Sequence, residues 1–299
     1  MWSFRAMGTD ITVVCGPSDL ERVTARVAAT FAEAEQRFSR FREDSELSQV
    51  NRARGPQVVS PELFSALERA RGYYEATDGL FDPAVGATLE ALGYDRSFAP
   101  GELDRPAARL PTHTGRFSEL KLEPATRTVE RPAHLHLDLG GMIKGATVDS
   151  AAAHLQLDGA IDAGGDALAL GEGPDDGAWL VDVEDPTDPT RSVATLALRD
   201  SAVATSAANR RVWRVGGARA HHLIDPRTHA PVDTDLLQAT VVAPHVELAD
   251  VLAKTSFLLG SRGAPRLLAR HPGVGAVLVR DDGDVRIVGA IDVREVRRG

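Results

Sequence analysis

Residues 135–149, LHLDLGGMIKGATVD, decide how the rest of the chain is read. Leu135, Leu137 and Leu139 alternate with polar residues, the period-2 pattern of a half-buried strand. Gly140 and Gly141 then permit a sharp turn and leave no side chain over the first amides of the helix that follows. Those amides have no partner within the helix, and the helix dipole makes that end electropositive. Lys144 falls in or near the first turn, where a cation is disfavoured unless something negative lies beside it. A phosphate or pyrophosphate meets that condition. An ordinary strand-to-helix turn with a solvated lysine fits the same letters, and these residues alone do not separate the two readings.

The bulk composition narrows the function classes. At 299 residues the chain is long enough for one large domain or two small ones, with ample core. A net charge of -9 argues against nonspecific nucleic-acid binding and against a basic membrane-surface helix. Cys15 is the single cysteine, so no intrachain disulfide and no cysteine-rich zinc cluster can form, which suits a reducing compartment. The opening residues, MWSFRAMGTDITVVCG, hold a short apolar run broken by Thr9 and Asp10, unlike a signal peptide. No stretch approaches the roughly 20 apolar residues of a membrane span. The expected setting is cytoplasmic, with export or membrane association left open.

Outward from the central stretch, Thr9 to Cys15 alternates as a strand. Ser18-Asp19-Leu20-Glu21 has the capping-box pattern, and Leu20, Val23, Val27, Ala28, Phe31 and Phe38 follow at helical spacing. Asp44-Ser45 caps a further turn. Ser60-Pro61-Glu62 starts a helix that runs to about Ala76 and closes at Thr77-Asp78-Gly79, followed by a tight turn and a short helix in LFDPAVGATLEALGYD. Arg96 to Arg116 reads as a surface loop, and Leu120 to Leu137 as short antiparallel strands turning at Pro124-Ala125-Thr126. The central helix is expected to reach about Leu157. Strands flank Ile161-Asp162-Ala163-Gly164-Gly165-Asp166, Trp179 to Val183 and Val193 to Leu198 are strands, and AVATSAANRRVW and HHLIDPRT are strand edges. After a strand at Ala239 to Ala243, a helix spans Val246 to Leu259, a short helix lies around Ala264 to Ala269, and a hairpin joins 275–279 to 285–288. Hairpins with scattered helices predict an α+β or mixed α/β fold, antiparallel-rich sheets flanked by helices, in a single domain over 1–299.

Few residues stand out as chemistry. No Walker pattern, G-x-S-x-G elbow or dinucleotide fingerprint is present. His134, His136 and Asp138 share one side of a strand, as a metal site or as a solvent-facing polar row. His221 and His222 are either proton shuttles or a surface pair. Asp250 and Lys254 are four apart on the late helix, which makes a surface ion pair, or makes Asp250 a hard oxygen ligand for Mg²⁺ beside a phosphate.

Eight blocks taken together go further: MGTDITV, FSRFREDSELSQVN, TDGLFDPAVG, LDLGGMIKGATVD, DAGGDALALG, ATSAANRR, HHLIDPRT and VVAPHVELADVLAKTSFLLG. In that order they resemble the FAD:protein FMN transferases, the ApbE-like flavin transferases, over nearly the whole chain. The resemblance implies a Mg²⁺-dependent transferase. It uses FAD as substrate, moves the FMN half onto a Thr or Ser hydroxyl of a target flavoprotein, and releases AMP. It further implies FAD contacts at Met7, Phe41, Leu80, Phe81, Asp82, Asp138, Lys144 and Ile224, metal ligands at Gly141 (backbone carbonyl) and Asp250, and proton transfer by His222. Phe41 stands where the family often has tyrosine, and Lys254 where it commonly has a metal-binding threonine. A protonated ammonium has no lone pair for a cation, so weaker metal binding, or phosphate neutralisation by Lys254 itself, is expected. Two alternatives use the same residues: a hydrolase that splits FAD to FMN and AMP, and a non-catalytic FAD-binding protein.

Overall fold

Alternation along residues 9–15 places Ile11 and Val13 at 0% exposure, and the strand Thr9–Cys15 is where a large sheet starts to pack. Trp2–Ala6 pairs with it through the two-residue turn Met7-Gly8, both at positive φ (49° and 74°), the geometry whose twist suits a tight hairpin. The computed structural model describes residues 1–16, 20–96, 104–105, 115–155, 158–209 and 211–297. The chain divides into two compact units. The first comprises residues 1–32, 144–209 and 234–299, and the second 33–143 and 210–233.

The first unit is built on an eight-stranded sheet whose strands lie side by side in chain order. They are Trp2–Ala6, Thr9–Cys15, Gly159–Ala163, Ala167–Leu170, Ser201–Ala207, Leu236–Ala243, Gly275–Arg280 and Val285–Val288, and every neighbouring pair is antiparallel. On one face, Ile11, Val13 and Ile161 pack with Val23, Val27 and Phe31 of helix α1 (Leu20–Phe38) and with Val148, Ala151 and Ala152 from residues 143–152. On the other, Ala167, Val203 and Val277 pack with Val183, Val193 and Leu196 of a three-stranded sheet formed by Trp179–Glu184, Ser192–Leu198 and Val293–Val296. The Ser18-Asp19 cap lies outside the described residues, as does most of the expected loop at 96–116.

The second unit opens with helices whose starts the sequence announces. Ser45 caps α2 (Glu46–Arg52) by accepting the Ser48 amide at 3.0 Å. Ser60 caps α3 (Pro61–Ala76), and its own amide and hydroxyl donate to Glu46 at 2.5 and 2.6 Å. A short helix, α4 (Gly86–Ala91), follows. Lys121–Glu123 and Thr128–Glu130 form the expected antiparallel pair.

Three expectations need correction. Residues 135–139 do not form a ladder strand, although Leu135, Leu137 and Leu139 are each 0% exposed. The Leu137 amide and carbonyl go to the Asn51 side chain, both at 2.9 Å, and the Asp138 amide goes to the Pro83 carbonyl at 2.8 Å. A side-chain amide thus stands in for a neighbouring strand, and a single parallel bridge, Val85 with His136, remains. The central helix, α5 (Ile143–Ala152), stops short of Leu157 because its last amides tighten into three-residue turns, His154 to Ala151 and Leu155 to Ala152. Within α6 (Val246–Leu268) the expected break after Leu259 is present, at Gly260 with φ 69°, but the second helix starts earlier than Ala264. Asp235 takes the Ser261 amide and hydroxyl there, at 2.9 and 2.5 Å, so the second segment starts on its own cap.

Candidate functional site

In the first unit, Lys144 is the cation that sequence alone leaves without a counter-charge. Its ammonium forms an ion pair with Asp166 and donates to the Ala163 carbonyl at 2.9 Å. Asp166 was not among the expected site residues. It sits just past Gly164 and Gly165, both at positive φ, which turn the strand 159–163 back into 167–170. The turn brings the acid to a lysine 22 residues away in sequence. An acid directly after a Gly-Gly pair, in DAGGDAL, was the available signal. The other Asp166 oxygen accepts the Thr205 amide at 3.4 Å, and the Thr205 and Thr240 hydroxyls meet at 2.9 Å. Asp162 lies on the same turn and accepts the Gly165 amide at 3.0 Å. Burial pushes its carboxyl above the usual range, against the pull of that amide and of Lys144.

Helix α5 also fixes the start of α6. Asp149 accepts the Val246 and Glu247 amides, each at 2.9 Å, so an internal carboxylate fills that helix end. Gly145 makes the close approach possible, because a Cβ there would lie 2.7 Å from the Val246 carbonyl. One turn into α6 stands Asp250, 8% exposed, with Oδ2 enclosed. Lys254, one turn further, is half-buried. The neighbouring hydroxyl, Thr255, is fully buried and donates to the Val251 carbonyl at 2.7 Å, so it does not replace the missing threonine. Met7 is half-buried at the first hairpin turn and packs on the core that contains Phe31.

In the second unit, Asp138 is held from two sides. Oδ2 accepts Arg40 Nε at 2.8 Å, and Oδ1 accepts the Gly140 amide at 2.6 Å. The Arg40 guanidinium lies over the rings of Phe41 and Tyr94, 4.1 and 4.8 Å from their centroids. Phe41 meets Tyr94 edge-on at 5.4 Å, and Tyr94 stacks on Trp213 at 5.5 Å. Ile224 joins the same apolar cluster, so the second unit unites Phe41, Asp138 and Ile224 around Arg40, Tyr94 and Trp213. Those last three escaped the sequence reading. Gly141 is buried in the turn that precedes α5.

The other expected residues of this unit face inward. Phe81 is 3% exposed and edge-on to Tyr73, and Leu80 is half-buried. Asp82 pins its own loop, accepting the Ala84 and Phe117 amides at 2.8 and 3.2 Å. Burial raises its carboxyl to about 6 despite those bonds. His221 is buried, which lowers its pKa, and its Nδ1 accepts the Leu223 amide at 3.3 Å. His222 is half-buried with Nδ1 enclosed. His134, His136 and Asp138 each take a different partner, Glu119, Glu90 and Arg40, which removes the metal-row reading. Among the described residues no group of three or more His, Cys, Asp or Glu is placed to hold a metal.

The model of the ApbE family matches residues 7–278, which takes in both units. The chain belongs to the ApbE family. It is 32% identical over 292 residues to the FAD:protein FMN transferase of Treponema pallidum, covering 90% of this chain and 80% of that one. It is 34% identical over 237 residues to the FAD:protein FMN transferase of Rhodobacter capsulatus, covering 76% of this chain and 44% of that longer protein. The flavin transferase ApbE of Vibrio cholerae superposes with a TM-score of 0.80 at 25% identity over 96% of both chains. The ApbE fold bears out the expected mixture of helices and antiparallel sheets. No helix among the described residues is long and apolar enough to cross a membrane.

Proposed function

We propose that this ApbE-family chain is an FAD:protein FMN transferase acting on a target protein that carries an acceptor Ser or Thr. The observation that carries the reading is the family match over residues 7–278. Lys144, at the first turn of α5, is oriented by Asp166 and the Ala163 carbonyl, and among the described residues its third donor is available to a phosphate oxygen. We take residues 1–299 as one transferase domain, since each compact unit draws on separated stretches of chain. The single cysteine, Cys15, suits a reducing, cytoplasmic setting.

The acceptor hydroxyl oxygen attacks the FMN phosphorus, and the bond from that phosphorus to the bridging oxygen breaks. AMP leaves with the electron pair, and the hydroxyl proton passes to His222. Lys144 meets the charge of the diphosphate, and positioning with charge neutralisation supplies most of the rate. Met7, Phe41, Leu80, Phe81, Asp82, Asp138 and Ile224 contact FAD in this reading. Mg²⁺ is the metal the family implies, and the donor chemistry at Asp250 fits it: a hard carboxylate, 8% exposed. Asp250 and the Gly141 carbonyl would hold it, and when bound it neutralises phosphoryl charge. Lys254 supplies a cation where relatives supply a hydroxyl, which lowers the demand for the metal.

The test is the mass of an acceptor protein after incubation with FAD and Mg²⁺, with the wild type and with Asp250→Asn. The expected result is one FMN added by the wild type and little by the variant. Near-normal transfer by the variant would remove Asp250 from the reaction.

A further inference from the structure

Arg40 is the most deeply placed cation of the second unit's charge pair, its side chain 4% exposed against 14% for Asp138. Its Nε serves Asp138, its plane covers Phe41 and Tyr94, and its Nη2 is buried with no hydrogen-bond acceptor among the described residues. A buried charged donor left unfilled is unfavourable for the fold alone. Arginine at this place therefore does something other than maximise hydrogen bonding. Its one strong bond goes to the acid whose other oxygen holds Gly140 at the Gly-Gly turn. A Cβ at Gly140 would lie 2.8 Å from that same oxygen, so carboxylate, turn and guanidinium form one rigid assembly.

We infer that Arg40 is a positioning residue for flavin-dinucleotide binding. It holds Asp138 aimed, so that the outward carboxylate accepts a hydrogen bond from an N–H or O–H group of the dinucleotide. A carboxylate repels phosphate oxygens, so the group it reads is a sugar or ribityl hydroxyl or a ring N–H. The inference rests on the proposed FAD site and adds to it the residue behind Asp138 and the kind of group that Asp138 recognises.

The test is a double-mutant cycle on FAD binding, followed by quenching of flavin fluorescence, with thermal unfolding measured on the same samples. Arg40→Gln and Asp138→Asn are each expected to weaken FAD by on the order of tenfold. The double variant is expected to be no weaker than Asp138→Asn within about twofold, because both changes remove the same interaction. Multiplying losses would overturn the inference, since Arg40 would then touch FAD on its own account, and so would an Arg40→Gln variant that binds like wild type. If Arg40→Gln does not fold, Arg40→Lys replaces it in the cycle; it keeps the charge without the planar fork and should lose FAD affinity with the same non-additivity. A wild type that binds no FAD would bring down the proposed function, and this inference with it. Binding with additive losses would bring down this inference alone.

Discussion

The two buried charge pairs, Lys144–Asp166 in the first unit and Arg40–Asp138 in the second, are mirror cases. In the first the acid is the deeper partner, with side-chain exposures of 15% for the lysine and 5% for the aspartate. In the second the base is deeper, at 4% against 14%. Each pair thus turns one charge outward and keeps its support inside. The outward members, Lys144 and Asp138, are the two that family resemblance marks as FAD contacts, one cationic and one anionic. The difference teaches that the depth of the buried partner decides which charge a pair presents, a cation in the first unit and an anion in the second.

The sharpest way to break this comparison is to remove the inner partner of each pair. Asp166→Ala leaves a mostly buried ammonium uncompensated and should cost about 3–5 kcal/mol in urea unfolding. Arg40→Met should cost a similar amount, because the charge it orphans, Asp138, is 14% exposed against 15% for Lys144 and likewise keeps another bond. A clear difference between the two losses would show that exposure of the orphaned charge does not set them.

Asp82 sharpens it from another side, as a buried acid of the second unit held by amides and not by a paired base. Its folded pKa, about 6, lies above the ordinary 3.8, so the native state binds its proton more tightly than the unfolded chain. Stability from this residue is therefore fullest below pH 3.8 and lost as pH rises through 6, by roughly 3 kcal/mol in total. Asp82→Asn should flatten that part of the stability curve between pH 4 and 7, measured by chemical unfolding. An unchanged slope would show that Asp82 ionises freely.

Smaller effects follow in α6. Asp149→Ala removes two charged caps and should cost about 2 kcal/mol, with Asp149→Asn recovering part through its single acceptor oxygen. Lys254→Thr should leave unfolding within about 0.5 kcal/mol. It should also raise the transfer rate at saturating Mg²⁺ and steepen its dependence on the metal. Identical Mg²⁺ titrations of the two proteins would mean that Lys254 does not stand in for a ligand.

Much of the fold was legible because its signals are local. Ser45 and Ser60 cap their helices within three residues, and the hairpin at 275–288 carries its own Asp-Gly turn. The central stretch was half legible: the alternation of Leu135, Leu137 and Leu139 gave burial correctly, but Asn51, 86 residues away, took the hydrogen bonds that would have made a strand. The site divides the same way. Lys144 and Asp138 stand in recognisable blocks, while Asp166, Arg40, Tyr94 and Trp213 matter through contacts that only folding creates. The break after Leu259 was legible, but the early start of the second segment was not, because its cap, Asp235, lies 26 residues away in sequence.

The central claim is that FAD is cut only as its FMN half is passed to a protein hydroxyl. The direct measurement is AMP released from FAD in the presence of Mg²⁺, with and without an acceptor, counted against FMN bound to that acceptor. The account predicts one AMP for each FMN attached and almost none when the acceptor is omitted. AMP appearing at the same rate without acceptor would make the protein a hydrolase, and intact FAD in both arms would make it a binding protein; either result contradicts the account.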